Sequence, residues 1–467
     1  MSETTAARET PDQALNRALN AAKIRHINEA LGICKDVLTQ HPEHPGALGL
    51  IGGILGQEGR VEEALNHLER AVAKQPNVAN WQLNLCALYR SRNRLEDSLR
   101  HGQEAVRLAP ESASHRVELA LTYLSLGDRP NTSRCFREAM ACDPELAAPH
   151  MGLGELLLAE GDYASGWLEY AWRNKLEQAK GTLPKMVAAP WNGMKIPGGT
   201  LLIVADQGFG DMIQFARYIP MLTARVPNLV IGWGPEVTSL LGEYPGITHC
   251  FASWKEAPPH DAYVLLSTLP QIFGTTLDNI PMPIPYMWMK PDRVAAWGER
   301  LAAALPNRRL RVGLSWSGRP THPNNARRSV RLHDLAPILA VPDVDFITLQ
   351  KPFPADDRAY AQGLTNLLEV TDELTSFAES GALIENLDLV ISVDTAVVHL
   401  AGALNREVWV LVPMPADWRW LTDREDSVWY KSLRLFRQTQ CNEWAPVFAK
   451  VASELAARAR AFPSQQK

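Results

Sequence analysis

A spacing of 34 residues constrains the first third of this chain more than any other feature of the sequence. Prolines recur at this spacing. When the sequence is aligned in rows of 34 residues, three other columns each keep one kind of side chain. The prolines are Pro42, Pro76, Pro110 and Pro144; the small column is Gly52, Cys86, Ala120 and Gly154; the bulky column is Leu55, Tyr89, Tyr123 and Leu157; and the turn column is Gly59, Asn93, Gly127 and Gly161. Small residues let antiparallel helices approach closely, bulky ones fill the groove between neighbouring repeats, and proline ends a helix. The pattern therefore predicts a stacked array of helix pairs.

This array resembles the tetratricopeptide repeat, with about four and a half copies over residues 11–177. Such repeats stack into an α-solenoid with a concave face. The resemblance implies that this face binds an extended peptide or an acceptor protein. Self-association into a homo-oligomer is the alternative that the sequence leaves open. The half repeat from Gly161 to Arg173 is expected to cap the array and to pack on the domain after it.

Residues 178–199 are rich in proline and glycine, which predicts a linker. Beyond the linker, apolar runs alternate with helical patterns, as expected of parallel α/β units. We place a first lobe at residues 200–305 and a second at residues 306–467.

The first lobe opens with an apolar strand, residues 200–205, that runs into the loop DQGFGD (206–211) and then a helix. In α/β sheets, ligands bind at the carboxyl ends of the strands. Gly208 and Gly210 permit a close approach of the backbone to a ligand. Asp211 is the candidate general base, because a carboxylate in a cleft can take the proton from an attacking hydroxyl. Asp206 is the second candidate, and a helix-capping role for Asp211 is the structural alternative.

The stretch from Leu389 to Pro413 predicts a strand, a turn, a helix and a second strand. Asp394, Thr395 and Ala396 occupy the turn, where free N–H groups and the positive end of the helix favour a phosphate. A plain βαβ unit with Asp394 as its cap is the alternative. His399 lies one turn into the helix and faces either the phosphates or a structural partner.

Three further polar residues come after predicted strands of the second lobe. Arg319 comes after residues 310–318, and its guanidinium could hold a phosphate oxygen. Gln350 and Lys351 fall at the ligand-facing end of residues 345–351, although a surface lysine is common at such a place. The tryptophans near residues 414–420 could stack on a base or shape the cleft.

Composition excludes several classes of protein. The net charge of −5 gives no reason to expect a nucleic acid or an anionic membrane as partner. No apolar run approaches the roughly 18 residues of a membrane span, and residues 1–13 lack the pattern of a secretion signal. The six scattered cysteines form no metal-binding motif, so we expect no metal site and a cytoplasmic protein with reduced thiols.

Residues 198–461 resemble the ADP-heptose:lipopolysaccharide heptosyltransferase-like glycosyltransferases. The motifs that carry the resemblance are DQGFGD (206–211), GLSWSGRPTHPNNARRS (313–329), LQK (349–351) and LVISVDTAVVHLAGAL (389–404). The resemblance implies a GT-B fold, with two Rossmann-like lobes around a cleft, and no metal or other cofactor. It implies Asp211 as the base and Asp394, Thr395, Ala396 and His399 as the grip on the donor phosphates. Ala396 departs from the glycine that many members have at this position.

The combination of repeats and this domain resembles bacterial protein glycosyltransferases, including those that modify flagellin. The leading hypothesis is an inverting, metal-independent enzyme that moves a sugar from a nucleotide-activated donor onto a protein selected by the repeats. Two alternatives remain open at this point. One is a lipopolysaccharide or other glycan as acceptor, and the other is a catalytically inert scaffold.

Overall fold

The computed structural model describes residues 9–176, 186–232, 239–242, 244–321 and 325–462. Most of residues 1–13, where a secretion signal would lie, and residues 178–185 of the predicted linker are outside these ranges. The chain divides into two compact units between Leu153 and Gly154.

The first unit is the predicted α-solenoid. Its helices are α1 (Pro11–Lys23), α2 (Ile27–Gln40), α3 (Pro45–Gln57), α4 (Val61–Lys74), α5 (Ala79–Ser91), α6 (Leu95–Leu108), α7 (Ala113–Ser125) and α8 (Arg129–Cys142). They pack in consecutive pairs, α1 on α2, α3 on α4, α5 on α6 and α7 on α8. At Gly52 a Cβ would come within 2.5 Å of Leu68 Cγ, so the small column does allow close helix contact.

The turn column adopts the left-handed backbone conformation. Gly59 and Gly127 have φ angles of 75° and 76°, and Asn93 has a φ of 58°. Glycine enters this region freely, and asparagine is among the few other residues that enter it readily. The single departure from glycine in this column therefore preserves the turn.

The second unit begins inside helix α9 (Ala147–Glu160) and includes α10 (Tyr163–Tyr170) and a 3₁₀ turn (Ala171–Lys175). Residues 154–176, the terminal hairpin, thus group with the α/β lobes, whereas we had assigned the array up to residue 177. Trp167 Nε1 donates to the carbonyl of Thr275 at 2.9 Å, and Trp429 Nε1 donates to the Tyr163 hydroxyl at 3.0 Å. The aromatic side chains of this hairpin are thus covered by the lobes, in the place where a solenoid would have its next repeat.

The first lobe is built on a five-stranded parallel sheet in the order β1-β5-β2-β3-β4. The strands are β1 (Ala189–Pro190), β2 (Thr200–Val204), β3 (Asn228–Gly232), β4 (Ile247–Phe251) and β5 (Ala262–Leu265). Its helices are α11 (Phe209–Phe215), α12 (Ile219–Thr223) and α13 (Leu269–Ile272). Strand β1 lies within the predicted linker, so part of that segment forms the edge of the sheet.

The second lobe holds a six-stranded parallel sheet in the order β11-β10-β9-β6-β7-β8. The strands are β6 (Leu310–Ser315), β7 (Val344–Thr348), β8 (Leu367–Leu368), β9 (Leu389–Val393), β10 (Val408–Val412) and β11 (Leu433–Arg437). Its helices are α14 (Pro291–Ala304), α15 (Asn325–Arg328), α16 (Ala336–Leu339), α17 (Arg358–Gln362), α18 (Phe377–Ile384), α19 (Ala396–Ala403) and α20 (Ala445–Ala461). Two parallel α/β lobes following a helical solenoid are the fold class that the sequence predicted.

Helix α14 shows that the division between the lobes differs from the predicted residue 305. Trp297, on α14, donates from Nε1 to Glu379 of α18 at 2.9 Å. Asn386 also donates to the carbonyl of Val294 at 2.8 Å. The helix therefore packs with α18 of the second lobe, and its side chains Trp297 and Leu301 are buried.

Within the described ranges, no helix is both long enough and apolar enough to cross a lipid bilayer.

Candidate functional site

The first part of the site is the loop between β2 and α11. Helix α11 begins at Phe209, which places Asp211 in its first turn, and Asp211 Oδ2 accepts a hydrogen bond from the backbone of Gly208 at 3.0 Å. A carboxylate at this position satisfies one of the free N–H groups of the helix. Asp211 therefore does have the capping role that we considered as its structural alternative.

The same carboxylate is bound by the second lobe. Arg419 lies in a 3₁₀ turn (Trp418–Trp420) after β10, and its Nη2 forms an ion pair with Asp211 Oδ1. The guanidinium also donates from Nε to Gln214 Oε1 at 2.6 Å and from Nη1 to Asp417 Oδ1 at 2.9 Å. The side chains of Arg419 and Asp211 are 8% and 21% exposed, so the pair is largely shielded from water.

Burial and the attraction between the two groups act in opposite directions on the pKa values of this pair. It raises the pKa of Asp211, and the Arg419 guanidinium opposes that rise. Burial also disfavours the charge on Arg419, but the carboxylates of Asp211 and Asp417 outweigh it and raise the pKa of Arg419 well above its usual range. Arg419 is therefore a permanent cation beside the candidate base.

The second part of the site is the start of α19. Thr395, and not Asp394, is the residue before the first helical position. The Thr395 hydroxyl lies 3.2 Å from Ser392 Oγ, and so turns back towards β9. Ala396 is half-buried at the first position of the helix. The interpretation of Asp394 as the cap is thus wrong, and the first N–H groups of α19 suit an anion.

Asp394 is the buried residue directly before Thr395. Its carbonyl accepts a hydrogen bond from Arg328 Nη1 at 2.8 Å. Burial raises the pKa of the Asp394 carboxyl to about 6, and the negative charge of Asp417 adds to that rise. Asp394 therefore takes up a proton at a higher pH than an ordinary aspartate does.

His399 connects the two parts of the site without facing open space. Its Nδ1 lies 2.9 Å from the Tyr430 hydroxyl, its ring stacks on Trp420 at 5.6 Å, and its Nε2 lies 4.0 Å from Asp394 Oδ1. A Cβ at Gly210 would come within 2.7 Å of His399 Cδ2, so α11 packs directly on α19 at this glycine. Burial lowers the pKa of His399 well below its usual value. These contacts are those of a neutral structural histidine.

Gln350 uses its amide group within the protein. Its Oε1 accepts from the backbone N–H groups of Trp316 and Ser317 at 3.0 and 2.9 Å, and its Nε2 donates to the carbonyls of Ser317 and Pro352 at 3.0 Å each. Gln350 therefore shapes the loop after β6. The role in ligand binding that the sequence suggests for Gln350 stays a prediction.

Lys351 and Arg319 lie on the surface of the second lobe. Lys351 is exposed, and its Nζ donates to the carbonyl of Leu374. Arg319 is also exposed, at the end of the loop that Gln350 shapes. The structure thus packs the loop of Gly208, Gly210 and Asp211 against the helix of His399, while Arg319 and Lys351 remain at the surface.

Sequence reasoning missed the residues that complete the charge network, Asp417 and Arg419. The available signal was a charged pair inside an apolar and aromatic segment, since such groups are rarely buried unless they are paired. Trp418 and Trp420 in the same segment are 2% and 0% exposed, so they pack in the interior instead of stacking on a base.

Among the residues that the structure describes, no three side chains of His, Cys, Asp or Glu come together in a way that could hold a metal ion.

Two family models match parts of the chain. The tetratricopeptide repeat model matches residues 25–89, and the model of glycosyltransferase family 9 (heptosyltransferase) matches residues 352–411. The second match includes β9, the start of α19 and His399.

Comparison with curated proteins finds Protein FlbA of Caulobacter vibrioides, 26% identical over 331 residues, a match that covers 64% of this chain and 53% of FlbA. The chain thus spans about half the length of the curated relative that it matches.

Solved structures similar to this chain include TTC0263, a tetratricopeptide repeat protein of Thermus thermophilus, with 21% identity and a TM-score of 0.32 over 37% of this chain and 93% of that one. The PilF protein of Pseudomonas aeruginosa is 17% identical, with a TM-score of 0.33 over 37% of this chain and 78% of that one.

The family matches and the two kinds of unit agree: this chain carries tetratricopeptide repeats at its N-terminus, followed by a glycosyltransferase family 9 (heptosyltransferase) domain.

Proposed function

We propose that the second unit moves a sugar from a nucleotide-activated donor onto a hydroxyl group of an acceptor protein. The observation that carries this proposal is the packing of α11 on α19 at Gly210 and His399. It brings the first turn of α11, with Asp211, beside the start of α19, and both elements follow the carboxyl ends of central strands.

Asp211 acts as the base for the acceptor hydroxyl. A carboxylate has about four hydrogen-bond acceptor positions. Gly208 and Arg419 occupy two of them, and the Gln207 amide occupies a third in the orientation that satisfies both of its polar atoms. One position is then left for the incoming hydroxyl. One base and one displacement give inversion at the sugar carbon, which is the stereochemical outcome that we propose.

The departing nucleotide diphosphate is stabilised by the start of α19. Preorganised N–H groups and the helix dipole suit a developing negative charge, and they need no metal ion to do so. Arg328 is held beside this point by its hydrogen bond to the Asp394 carbonyl and supplies a positive charge. We therefore propose metal-independent transfer.

The repeats support a protein as acceptor, since such arrays commonly bind peptides and partner proteins. Flagellin is the first acceptor to test, because the combination of repeats and transferase resembles flagellin-modifying enzymes. The family description as heptosyltransferase favours a glycan acceptor as the competing candidate. An inert scaffold is favoured by a different observation, namely that both oxygens of Asp211 are engaged by protein groups.

The test combines ligand binding with transfer. A panel of nucleotides and nucleotide sugars is screened for thermal stabilisation, because a ligand of the folded state raises its melting temperature. The stabilising donor is then incubated with flagellin and with lipopolysaccharide, and the products are weighed by mass spectrometry with and without EDTA. We expect Asp211→Asn to bind the donor like the natural protein but to lose transfer. Full turnover by this variant would remove Asp211 as base, and no stabilisation by any nucleotide would favour the scaffold.

A further inference from the structure

A buried arginine of the terminal hairpin contacts the loop that carries the candidate base. Arg173, in the 3₁₀ turn after α10, places Nη2 at 3.5 Å from Asp206 Oδ2, and the two side chains are only 7% and 4% exposed. The same Nη2 donates to the hydroxyl of Ser267, which in turn donates to Asp206. Asp206 is the first residue of the DQGFGD loop, so the hairpin grips this loop at its beginning.

The next residue of the loop, Gln207, extends this contact to the base. In the amide orientation that satisfies both of its polar atoms, its oxygen accepts from Arg173 Nε at 2.8 Å. Its nitrogen donates to Asp211 Oδ1 at 3.1 Å and lies 3.1 Å from the Tyr170 hydroxyl. A guanidinium can only donate hydrogen bonds. Arg173 therefore forces the oxygen of Gln207 towards itself and the nitrogen towards Asp211.

We propose that Arg173 is a positioning residue for the reaction: through Gln207 it orients the Asp211 carboxylate and keeps it ionised. This inference rests on the proposed function, in which Asp211 takes the proton of the acceptor. A hydrogen bond donated to a carboxylate favours its charged form, and so opposes the effect of burial on Asp211. The last half repeat then contributes a residue that orients the base of the transferase domain, in addition to any role as the end of the solenoid.

The alternative is a purely structural clamp, in which Arg173 only fastens the hairpin to the lobe. The two differ in their effect on Asp211. A clamp lowers stability when it is weakened, but leaves the titration of the Asp211 carboxyl where it was. A positioning residue changes that titration even in a folded variant.

The experiment compares two variants of the full chain with a neighbouring control. Arg173→Lys keeps the charge but loses the fork that reaches Asp206 and Gln207 together. Gln207→Leu removes the link and leaves the buried Arg173–Asp206 pair intact. Asn174→Ala, at an exposed residue of the same turn, is the control. The titration of Asp211 is followed by ¹³C NMR on protein with carboxyl-labelled aspartate, and Asp211→Asn assigns the signal.

We expect both variants to shift the Asp211 titration to higher pH and to reduce kcat by about tenfold or more, with donor affinity unchanged. The control should match the natural protein in all three measurements. An unmoved Asp211 titration in both variants would overturn the inference. If Arg173→Lys does not fold, Gln207→Leu decides by the same criterion. A shifted titration together with full transfer by Asp211→Asn would keep the orienting contact of Arg173 on Asp211 but would remove Asp211 as base, and with it the role of Arg173 in the reaction.

Discussion

Arg419 of the second lobe and Asp211 of the first form a largely buried ion pair that joins the two lobes at the candidate base. The guanidinium holds two further groups, Gln214 on α11 and Asp417 beside it. The geometry of the base therefore depends on the lobes being together, because one of the residues that hold the Asp211 carboxylate belongs to the opposite lobe.

Replacing Arg419 by glutamine should lower the free energy of unfolding, and the size of this decrease should depend on pH. Removing one partner of a buried pair leaves an uncompensated charge and costs about 3–5 kcal/mol. Asp211 would be left without this cation, which opposes the effect of burial, so the pKa of its carboxyl would rise further. The loss should thus be largest at neutral pH and shrink as the pH falls and the Asp211 carboxyl takes up a proton.

Urea unfolding at pH 7.5 and pH 5 measures this effect. Arg424→Gln is the matched control, since Arg424 pairs with the exposed Asp426 at 2.6 Å and such pairs contribute about 0–1 kcal/mol. Equal losses for the two variants would contradict the importance of the pair between the lobes.

As the pH is lowered, the rate of transfer should begin to fall at a pH above the usual pKa range of an aspartate. Burial raises the pKa of Asp211, and only the ionised carboxylate accepts a proton. The acid limb of kcat should therefore lie above about pH 4, the value of an unperturbed aspartate. A pH profile of kcat at saturating donor measures it, and an acid limb at or below that value would show that another group limits the reaction.

Donor binding should respond to the titration of Asp394. Its carboxyl is half-ionised at about pH 6, and its charge lies just before the helix that we propose to hold the diphosphate. Binding of a nucleotide sugar should tighten as the pH falls from 7.5 to 5.5, because the repelling charge is lost. If the bound diphosphate raises the pKa of Asp394 by one unit, the gain between these two pH values is about sixfold.

Isothermal titration calorimetry at these two pH values tests this response, with Asp394→Asn as the comparison. The variant should bind the donor tightly at both values. A variant that keeps the full pH dependence of the natural protein would assign the effect to a different group.

The parts of the fold that follow local rules could be predicted from the sequence. The turns at Gly59 and Asn93 were visible because few residues adopt positive φ, and the spacing repeated them. Asp211 and Asp394 were located because each follows an apolar run that forms a strand. In these cases residues close in the chain determine the structure.

The charge network could not be predicted in the same way, because its members are distant in sequence. Arg419 is 208 positions from Asp211, and Arg173 is 33 positions from Asp206. Arg419 belongs to no repeating pattern or local motif, and Arg173 lies in the half repeat, whose pattern does not indicate its partner. The same holds for the boundary near residue 154, which depends on where the aromatic side chains of the terminal hairpin pack.

The position of that boundary predicts how the chain can be shortened. A protein that begins at Ala147 keeps the whole of α9 and the terminal hairpin, whereas one that begins at residue 178 loses the contacts of Tyr163, Trp167 and Arg173. We expect the longer form to unfold cooperatively and to retain donor binding. The shorter form should be strongly destabilised, since it exposes the aromatic surface of both lobes.

Circular dichroism melting and donor-induced thermal stabilisation of both forms measure this difference. Comparable melting temperatures would mean that the hairpin contributes little to the stability of the lobes.

Gly210→Ala should destabilise the contact between α11 and α19. Alanine normally favours a helix by up to about 1 kcal/mol over glycine. At Gly210, however, the new Cβ would lie 2.7 Å from Cδ2 of His399, a buried ring fixed by Tyr430 and Trp420. Overpacking of this kind costs about 1–3 kcal/mol, so the net effect should be a loss of stability. Transfer should fall as well, because the two parts of the site are pushed apart.

Gly32→Ala provides the matched comparison. A Cβ at Gly32, within α2, meets no atom within 4 Å, so only the gain in helix propensity remains. Chemical denaturation should show a gain or no change for Gly32→Ala and a loss for Gly210→Ala. A gain for Gly210→Ala with full transfer activity would mean that the lobes do not depend on close packing at this glycine, and the proposed joining of base and phosphate site would lose its main support.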